Sequence, residues 1–205
     1  AAGFDCIKMK IGAIDFDAEI ELLQRIRDRF PKEKITLRVD ANGAFAPAEA
    51  LQKLKRLAAL DLHSIEQPIK QQQEDAMAQL CATTPLPIAL DEELIGVFGY
   101  AKQKELLQKI KPQYIILKPS LVGGFRGCDT WIQLAEELGI GWWITSALES
   151  NIGLNAIAQY TYTKSTSIPQ GLGTGALYTN NVSSPLEIKH GELWYMPENR
   201  WSFQF

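Results

Sequence analysis

Polar residues recur along this chain at a nearly constant interval, each at the end of an apolar or β-branched run. Lys10, Asp40, Glu66, Asp91, Lys118 and Ser146 are separated by 30, 26, 25, 27 and 28 residues. A helical pattern follows each run. "FDCIKMKI" precedes "DFDAEIELLQRIRDRF", in which Ile20, Leu23, Ile26 and Phe30 fall at helical spacing, and "ITLRVDAN" precedes "PAEALQKLKRLAAL", with Pro47 near its start. "LHSIEQP", "PIALDEE", "YIILKPS" and "GWWITSALES" are likewise each followed by a helical stretch, and a last short strand is expected within "SIPQGLG". Seven strands joined by six helices are the signature of parallel βαβ units.

Alternation within the strands sets the architecture. Ile35, Leu37 and Val39 share one face of the second strand, and Arg38, Asp40 and Asn42 share the other. An apolar face toward helices and a polar face toward an axis is what a TIM-like (β/α) barrel requires, and such barrels gather their site at the C-terminal strand ends. An open doubly wound sheet would split the same residues between the two sides of a crevice. The barrel lets them converge and is the fold expected here, an α/β (β/α)7β barrel.

Seven strands are one short of eight, 205 residues are fewer than the usual ~250 of a barrel, and the chain opens on "AAGFDC" without an initiator Met or a signal segment. The expectation is a partial barrel over residues 1–185, starting from its second strand, with a first strand and an N-terminal α+β capping domain missing. Residues 186–205, rich in aromatics and without helical period, read as a hairpin or strap that would pack near that capping domain.

Composition narrows the function. The chain is 46% hydrophobic and 22% charged with net charge −3, which fits one soluble domain with a substantial core. No basic stripe marks a nucleic-acid partner, and no run of about 18 apolar residues suggests a membrane helix. Cys6, Cys81 and Cys128 are far apart and odd in number, which suggests reduced thiols in the cytoplasm. Oligomeric state is not legible.

Asp40, Glu66 and Asp91 stand at three successive strand ends. Buried carboxylates repel one another and resist desolvation, so three converging on one point call for a hard divalent cation, Mg²⁺ or Mn²⁺. Lys8 and Lys10 flank the acids on one side and Lys118 on the other. Two ammonium groups roughly 6.6 Å apart along a strand disfavour each other's charge, so one of the pair is expected to have a depressed pKa. Charge balance against the acids is the competing role for these lysines.

K-x-K, D-A-N, E-x-P, D-E and K-P on successive strands resemble the enolase superfamily, in the branch with lysines on both sides of the site. The resemblance implies an α-proton abstraction from a small-molecule carboxylate, with Mg²⁺ or Mn²⁺ stabilising an ene-diolate. It implies Asp40, Glu66 and Asp91 as metal ligands, Lys10 as the proton-transferring lysine, Lys118 as the stabilising cation opposite it, and Lys8 as the residue that tunes Lys10. "KMKIG", "RVDANGAF", "SIEQP", "IALDEEL", "ILKPSLVGG" and "ITSALESNIGL" look most like the members that dehydrate a hydroxycyclohexadiene carboxylate. Racemases and epimerases of acylated amino acids and dipeptides share the same set, and an inactive barrel fragment is the non-catalytic alternative. Relatives that use a late His-Asp dyad are not matched.

Ser146 and Thr145 are candidates for binding a second carboxylate of the substrate, with helix capping as the competing role. Glu149 fits a capping box with Ser146 as well as a site contact. Asn42 and Glu92 are expected behind the metal ligands. The glycines of "LVGGFRG" and "GLGTG" read as tight turns, because neither stretch has a full phosphate-loop fingerprint. His63, expected to face the helices, and His190, in the tail, read as structural.

Overall fold

The computed structural model describes residues 3–164, 166–175 and 177–202. Six strands form one parallel sheet in chain order: β1 (Cys6–Lys10), β2 (Thr36–Asp40), β3 (Ser64–Glu66), β4 (Ile88–Leu90), β5 (Tyr114–Leu117) and β6 (Gly141–Ile144). The connecting helices are α1 (Phe16–Arg29), α2 (Pro47–Ala58), α3 (Glu74–Thr83), α4 (Tyr100–Ile110) and α5 (Gly124–Leu138), and α6 (Asn151–Tyr162) follows β6. A short 3₁₀ turn over Glu92–Leu94 precedes α4.

Local chemistry sets the helix ends. Asp15 caps α1 by accepting from the backbone N–H groups of Asp17 and Ala18, acids occupy its first turn and Arg27 and Arg29 its last. Pro47 opens α2, where its missing N–H is harmless. Gly139 ends α5 at φ 69°, a left-handed conformation in which glycine has no Cβ penalty.

The main core lies between the sheet and the helices. Leu37, Val39, Ile65, Ile88, Leu90, Ile115, Leu117, Trp142 and Ile144 face it from the strands, against Leu54, Leu107 and Trp131 of the helices. A second, smaller cluster of Ala89, Ile116 and Trp143, with Tyr114 and Ile168 beside it, fills the inner face. The alternation expected for barrel strands is therefore present: odd and even positions separate into a helix-facing core and an inner face.

Two expectations change. The strand expected in "SIPQGLG" is a single parallel bridge between Thr145 and Gly171. Pro169 lacks an N–H to extend that ladder, and Ile144 N, which faces this segment, donates to the Gln170 side-chain oxygen at 2.7 Å instead of to backbone. His63 does not face the helices, because it stands just before β3 begins and escapes that strand's alternation. Its ring lies 5.0 Å from that of Tyr114 and 6.1 Å from that of Trp143, on the inner face.

In the tail, β7 (Leu186–Lys189) and β8 (Glu192–Tyr195) form an antiparallel hairpin. Its turn packs closely on the chain start, where a Cβ on Gly191 would come within 2.6 Å of the Gly3 carbonyl oxygen. Residues 203–205, the end of the stretch read as a strap, lie outside the described residues.

Candidate active site

Strand register builds the site. Lys10 pairs with Asp40, Asp40 with Glu66, and Glu66 with Ala89, two residues before Asp91. Parallel register brings Lys10, Asp40 and Glu66 level on the inner face, and Asp91 follows on the same face two residues beyond the end of that row. Lys118 directly follows β5 in the same parity as Ile116, which brings it to that face from the far side.

Asp40, Glu66 and Asp91 are buried to within 2% of full enclosure. Lys8 Nζ lies 2.9 Å from Asp40 Oδ2 and 2.5 Å from Glu66 Oε2, joining the two acids. Lys10 Nζ donates to Asp40 Oδ2 at 2.5 Å and to Asn42 Oδ1 at 2.5 Å. On the other flank Lys118 Nζ donates to Asp91 Oδ2 and stands 3.8 Å from Glu66 Oε1. The lysines thus sit among the acids, and no group of three His, Cys, Asp or Glu is drawn to ligating separation among the described residues.

Electrostatics sort the acids. Burial pushes Glu66 up to about 8, with Asp40 and Asp91 adding to the rise and Lys8 opposing it. Burial also works against the charge of Asp40, but Lys8 and Lys10 outweigh it and hold its carboxyl below the usual range. Burial works against Lys8 too, yet Glu66 and Asp40 raise it above its ordinary value. The depressed lysine expected from the K-x-K pair is therefore not found in Lys8. Its carboxylate contacts at 2.5 and 2.9 Å outweigh repulsion from a neighbour one strand repeat away.

The donor set fits a hard divalent cation. Three carboxylates supply only oxygen, and Glu66 Oε1 is buried without a hydrogen-bond partner, in an environment that resists its ionisation. A cation among these acids would meet this oxygen, which accepts no hydrogen bond among the described residues, and offset the repulsion.

Asn42 donates its backbone N–H to Asp40 Oδ1 at 3.0 Å and its side-chain Nδ2 to Glu92 Oε1 at 2.8 Å. Asn42 therefore contacts Asp40, and Glu92 reaches Asn42 rather than an acid of the triad. Thr145 and Ser146 are drawn elsewhere. The Thr145 hydroxyl donates to Gly171 O at 2.8 Å, and Ser146 Oγ lies 2.5 Å from Thr174 Oγ1, so both hold the segment after α6 against β6. Glu149 makes no capping box with Ser146, because α6 starts at Asn151 with Ser150 as its cap residue. Its carboxylate accepts from the Ser120 hydroxyl at 2.5 Å and from Ala147 N at 2.8 Å, tying the loops after β5 and β6 together.

Three residues of the scaffold were not anticipated. Gln67 follows Glu66 at φ 38° and accepts from the N–H groups of Asp91 and Glu93, coupling the ends of β3 and β4. Glu19, buried on α1, accepts from Gly12, Ala13 and Ile14 and fixes the turn after Lys10. Its signal was its place four residues before Leu23, on the apolar side of the helix, where an acid needs a partner. Arg38, below Asp40 on β2, stacks 4.0 Å over the Trp143 ring and donates to Pro169 O.

Residues 1–198 match the family model described as enolase C-terminal domain-like. The chain belongs to this family. It is 60% identical over 193 residues to the o-succinylbenzoate synthase of Desulfotalea psychrophila, covering 94% of this chain and 52% of that protein. It is 34% identical over 151 residues to an N-succinylamino acid racemase of Thermus thermophilus, covering 74% of this chain and 38% of that protein. Among solved structures, MenC from Desulfotalea psychrophila superposes with TM-score 0.89 at 58% identity, over 94% of this chain and 53% of that one. A muconate cycloisomerase from Pseudomonas fluorescens superposes with TM-score 0.86 at 26% identity, over 98% of this chain and 56% of that one. This enolase-family domain thus spans about half the length of the relatives it matches.

Proposed function

We propose that the protein containing this domain is an o-succinylbenzoate synthase, a carbon–oxygen lyase that dehydrates 2-succinyl-6-hydroxy-2,4-cyclohexadiene-1-carboxylate in menaquinone biosynthesis, in the cytoplasm. The observation that carries the choice of reaction is the 60% identity to a protein of that name, against 34% to a racemase with which the strand-end residues are shared in kind. The register of acids and lysines supports the chemistry.

A proton α to a carboxylate is very weakly acidic, because its removal places a second negative charge on that carboxylate. Asp40, Glu66 and Asp91 would hold Mg²⁺, or Mn²⁺, which when bound supplies the positive charge that stabilises this enediolate. Lys10, largely exposed at the end of β1, removes the proton. Once protonated it donates to the departing hydroxyl on the same face, giving a syn elimination. Lys118 presents its ammonium from the opposite flank and Lys8 keeps Asp40 and Glu66 close to Lys10. Before the transfer Lys10 is a neutral amine, and Lys8 and Lys118 are the ammonium groups beside the three carboxylates; moving the substrate's α-proton to Lys10 redistributes charge without changing its total. The tail from residue 186 to 202 would pack near a capping domain.

The test is proton NMR in D₂O on the complete protein with Mg²⁺, offered the cyclohexadiene substrate and, separately, N-succinyl amino acids. Rapid aromatisation of the first without α-deuteration of the second is the expected result. Deuteration and racemisation of the amino acids, without aromatisation, would replace the dehydratase with a racemase.

A further inference from the structure

Three side chains from three strand ends form a chain: Lys10 donates to Asn42 Oδ1 at 2.5 Å, and Asn42 Nδ2 donates to Glu92 Oε1 at 2.8 Å. We propose that Asn42 and Glu92 are positioning residues for Lys10, with Glu92 fixing which end of the Asn42 amide the lysine meets. This rests on Lys10 being the proton-transferring group.

An asparagine amide has one accepting end and one donating end. The Asn42 nitrogen donates to Glu92 Oε1 and its oxygen accepts from Lys10, so the carboxylate oxygen sets which end of the amide the lysine meets. That orientation matters to a base. To take a proton, Lys10 has to be a neutral amine with its lone pair free. An amide oxygen accepts one of its N–H bonds both before and after the transfer, holding the amine in place while leaving the lone pair for the substrate. A flipped amide would donate into the lone pair and block it. Among the described residues Glu92 Oε2 is buried without a hydrogen-bond partner, and the Glu92 carboxylate is joined to the site through Oε1 and Asn42.

The Asn42 backbone is fixed as well. Its φ of 43° lies in the left-handed region that asparagine tolerates, and its N–H is held by Asp40 Oδ1. Lys8 differs, since both its partners, Asp40 and Glu66, belong to the proposed ligand set, whereas Lys10 has one partner there, Asp40, and one outside it. Asn42 is a neutral partner outside that set, and it belongs to Lys10.

The experiment compares Glu92→Leu, Glu92→Gln and Asn42→Gly with wild type, using the complete protein. Glycine is at ease at this φ, so Asn42→Gly removes the amide without backbone strain. Three quantities are read: kcat and KM for the cyclohexadiene, Mn²⁺ affinity by electron paramagnetic resonance, and the ¹H–¹⁵N signal of the Lys10 side chain. Glu92→Leu and Asn42→Gly should lower kcat about 10–100-fold, leave KM and Mn²⁺ affinity within about twofold, and weaken the Lys10 signal through faster exchange with water. Glu92→Gln, whose amide oxygen can still accept from Asn42, should restore both kcat and signal. Unchanged kcat and signal in Glu92→Leu would overturn the proposal, as would a parallel loss of Mn²⁺ affinity. If wild type fails to turn over the diene, the proposed reaction falls, and the Lys10 signal still decides whether Asn42 and Glu92 hold the lysine.

Discussion

The inner face of the sheet carries two layers that solve the problem of burial in opposite ways. At the strand ends, Asp40, Glu66 and Asp91 are buried carboxyl groups held by Lys8, Lys10 and Lys118. Below them, Tyr114, Trp143 and His63 pack on one another in tilted and edge-on contacts and the Arg38 guanidinium lies 4.0 Å over the Trp143 ring, with Ala89 and Ile116 beside them. The lower layer is stabilised by packing and stacking. The upper layer is a set of charges whose mutual repulsion only partner cations offset, and an arrangement that serves stability alone would have used apolar side chains there. That contrast marks the upper layer as the place of chemistry and the lower as its support.

The sharpest way to break the contrast is to remove one side chain from each layer. Lys10→Ala should reduce turnover about 10²–10⁴-fold while Mn²⁺ binding and the urea midpoint stay near wild type, since this lysine is largely exposed. Unchanged turnover would remove Lys10 from the mechanism. Trp143→Ala should do the reverse, lowering unfolding free energy by about 3–5 kcal/mol, because the ring is 3% exposed and Arg38 packs against it. Mn²⁺ affinity in the folded fraction should hold. A stability near wild type in urea would show that the lower layer is not the support described.

The upper layer was far more legible in sequence than the lower. Acids and lysines at strand ends break an apolar pattern, and their spacing of one βα unit reveals itself without coordinates. Parity and register then place Asp40, Glu66 and Lys10 level, because a parallel pairing of adjacent strands leaves little freedom. Thr145 and Ser146 resisted that logic. Their hydroxyls answer to Gly171 and Thr174, some 26 and 28 residues away, and no local pattern announces a partner so distant. His63 was misplaced for a different reason: alternation holds inside a strand, and this residue stands one position before β3. Gln67 and Glu92 lay next to recognised ligands, yet their bonds reach across to other strand ends, which sequence neighbours cannot reveal.

Glu66 sharpens the comparison through pH. Its carboxyl is raised to about 8 by burial in the metal-free protein, whereas in an unfolded chain it titrates near the ordinary value of about 4.3. The unfolded state therefore releases this proton first as pH rises. The stability that protonated Glu66 preserves is complete below the unfolded pKa and is lost as pH climbs through the folded one. Urea midpoints of metal-free protein should fall between pH 5 and 8, and Glu66→Gln, which cannot ionise, should flatten that slope. Saturating Mg²⁺ should flatten it in wild type alone, because the cation favours the ionised carboxylate. A metal-free slope that persists in Glu66→Gln would assign the titration to another group.

The lower layer has a titratable member of its own, and it moves stability in the other direction. Burial and the nearby Arg38 guanidinium hold the His63 pKa below its ordinary value, since both disfavour an imidazolium. In the unfolded chain the ring binds a proton near pH 6.5, so below that point the unfolded state gains protons that the folded state refuses. Stability from neutral His63 is intact above about pH 6.5 and declines as pH falls from there toward the lower folded pKa. His63→Phe keeps a ring against Tyr114 and Trp143 and cannot be protonated. It should remove the part of the acid-side decline that belongs to His63, an effect of about 1 kcal/mol or less since the ring is only half-buried. Because Ser64 then loses its 2.9 Å contact with His63 Nδ1, the variant's stability at neutral pH is the baseline from which the slope is read. An unchanged slope below pH 6.5 would mean that the stacked layer accommodates the charged ring, with Arg38 moving aside, and that the two layers differ less in their tolerance of charge than their contacts imply.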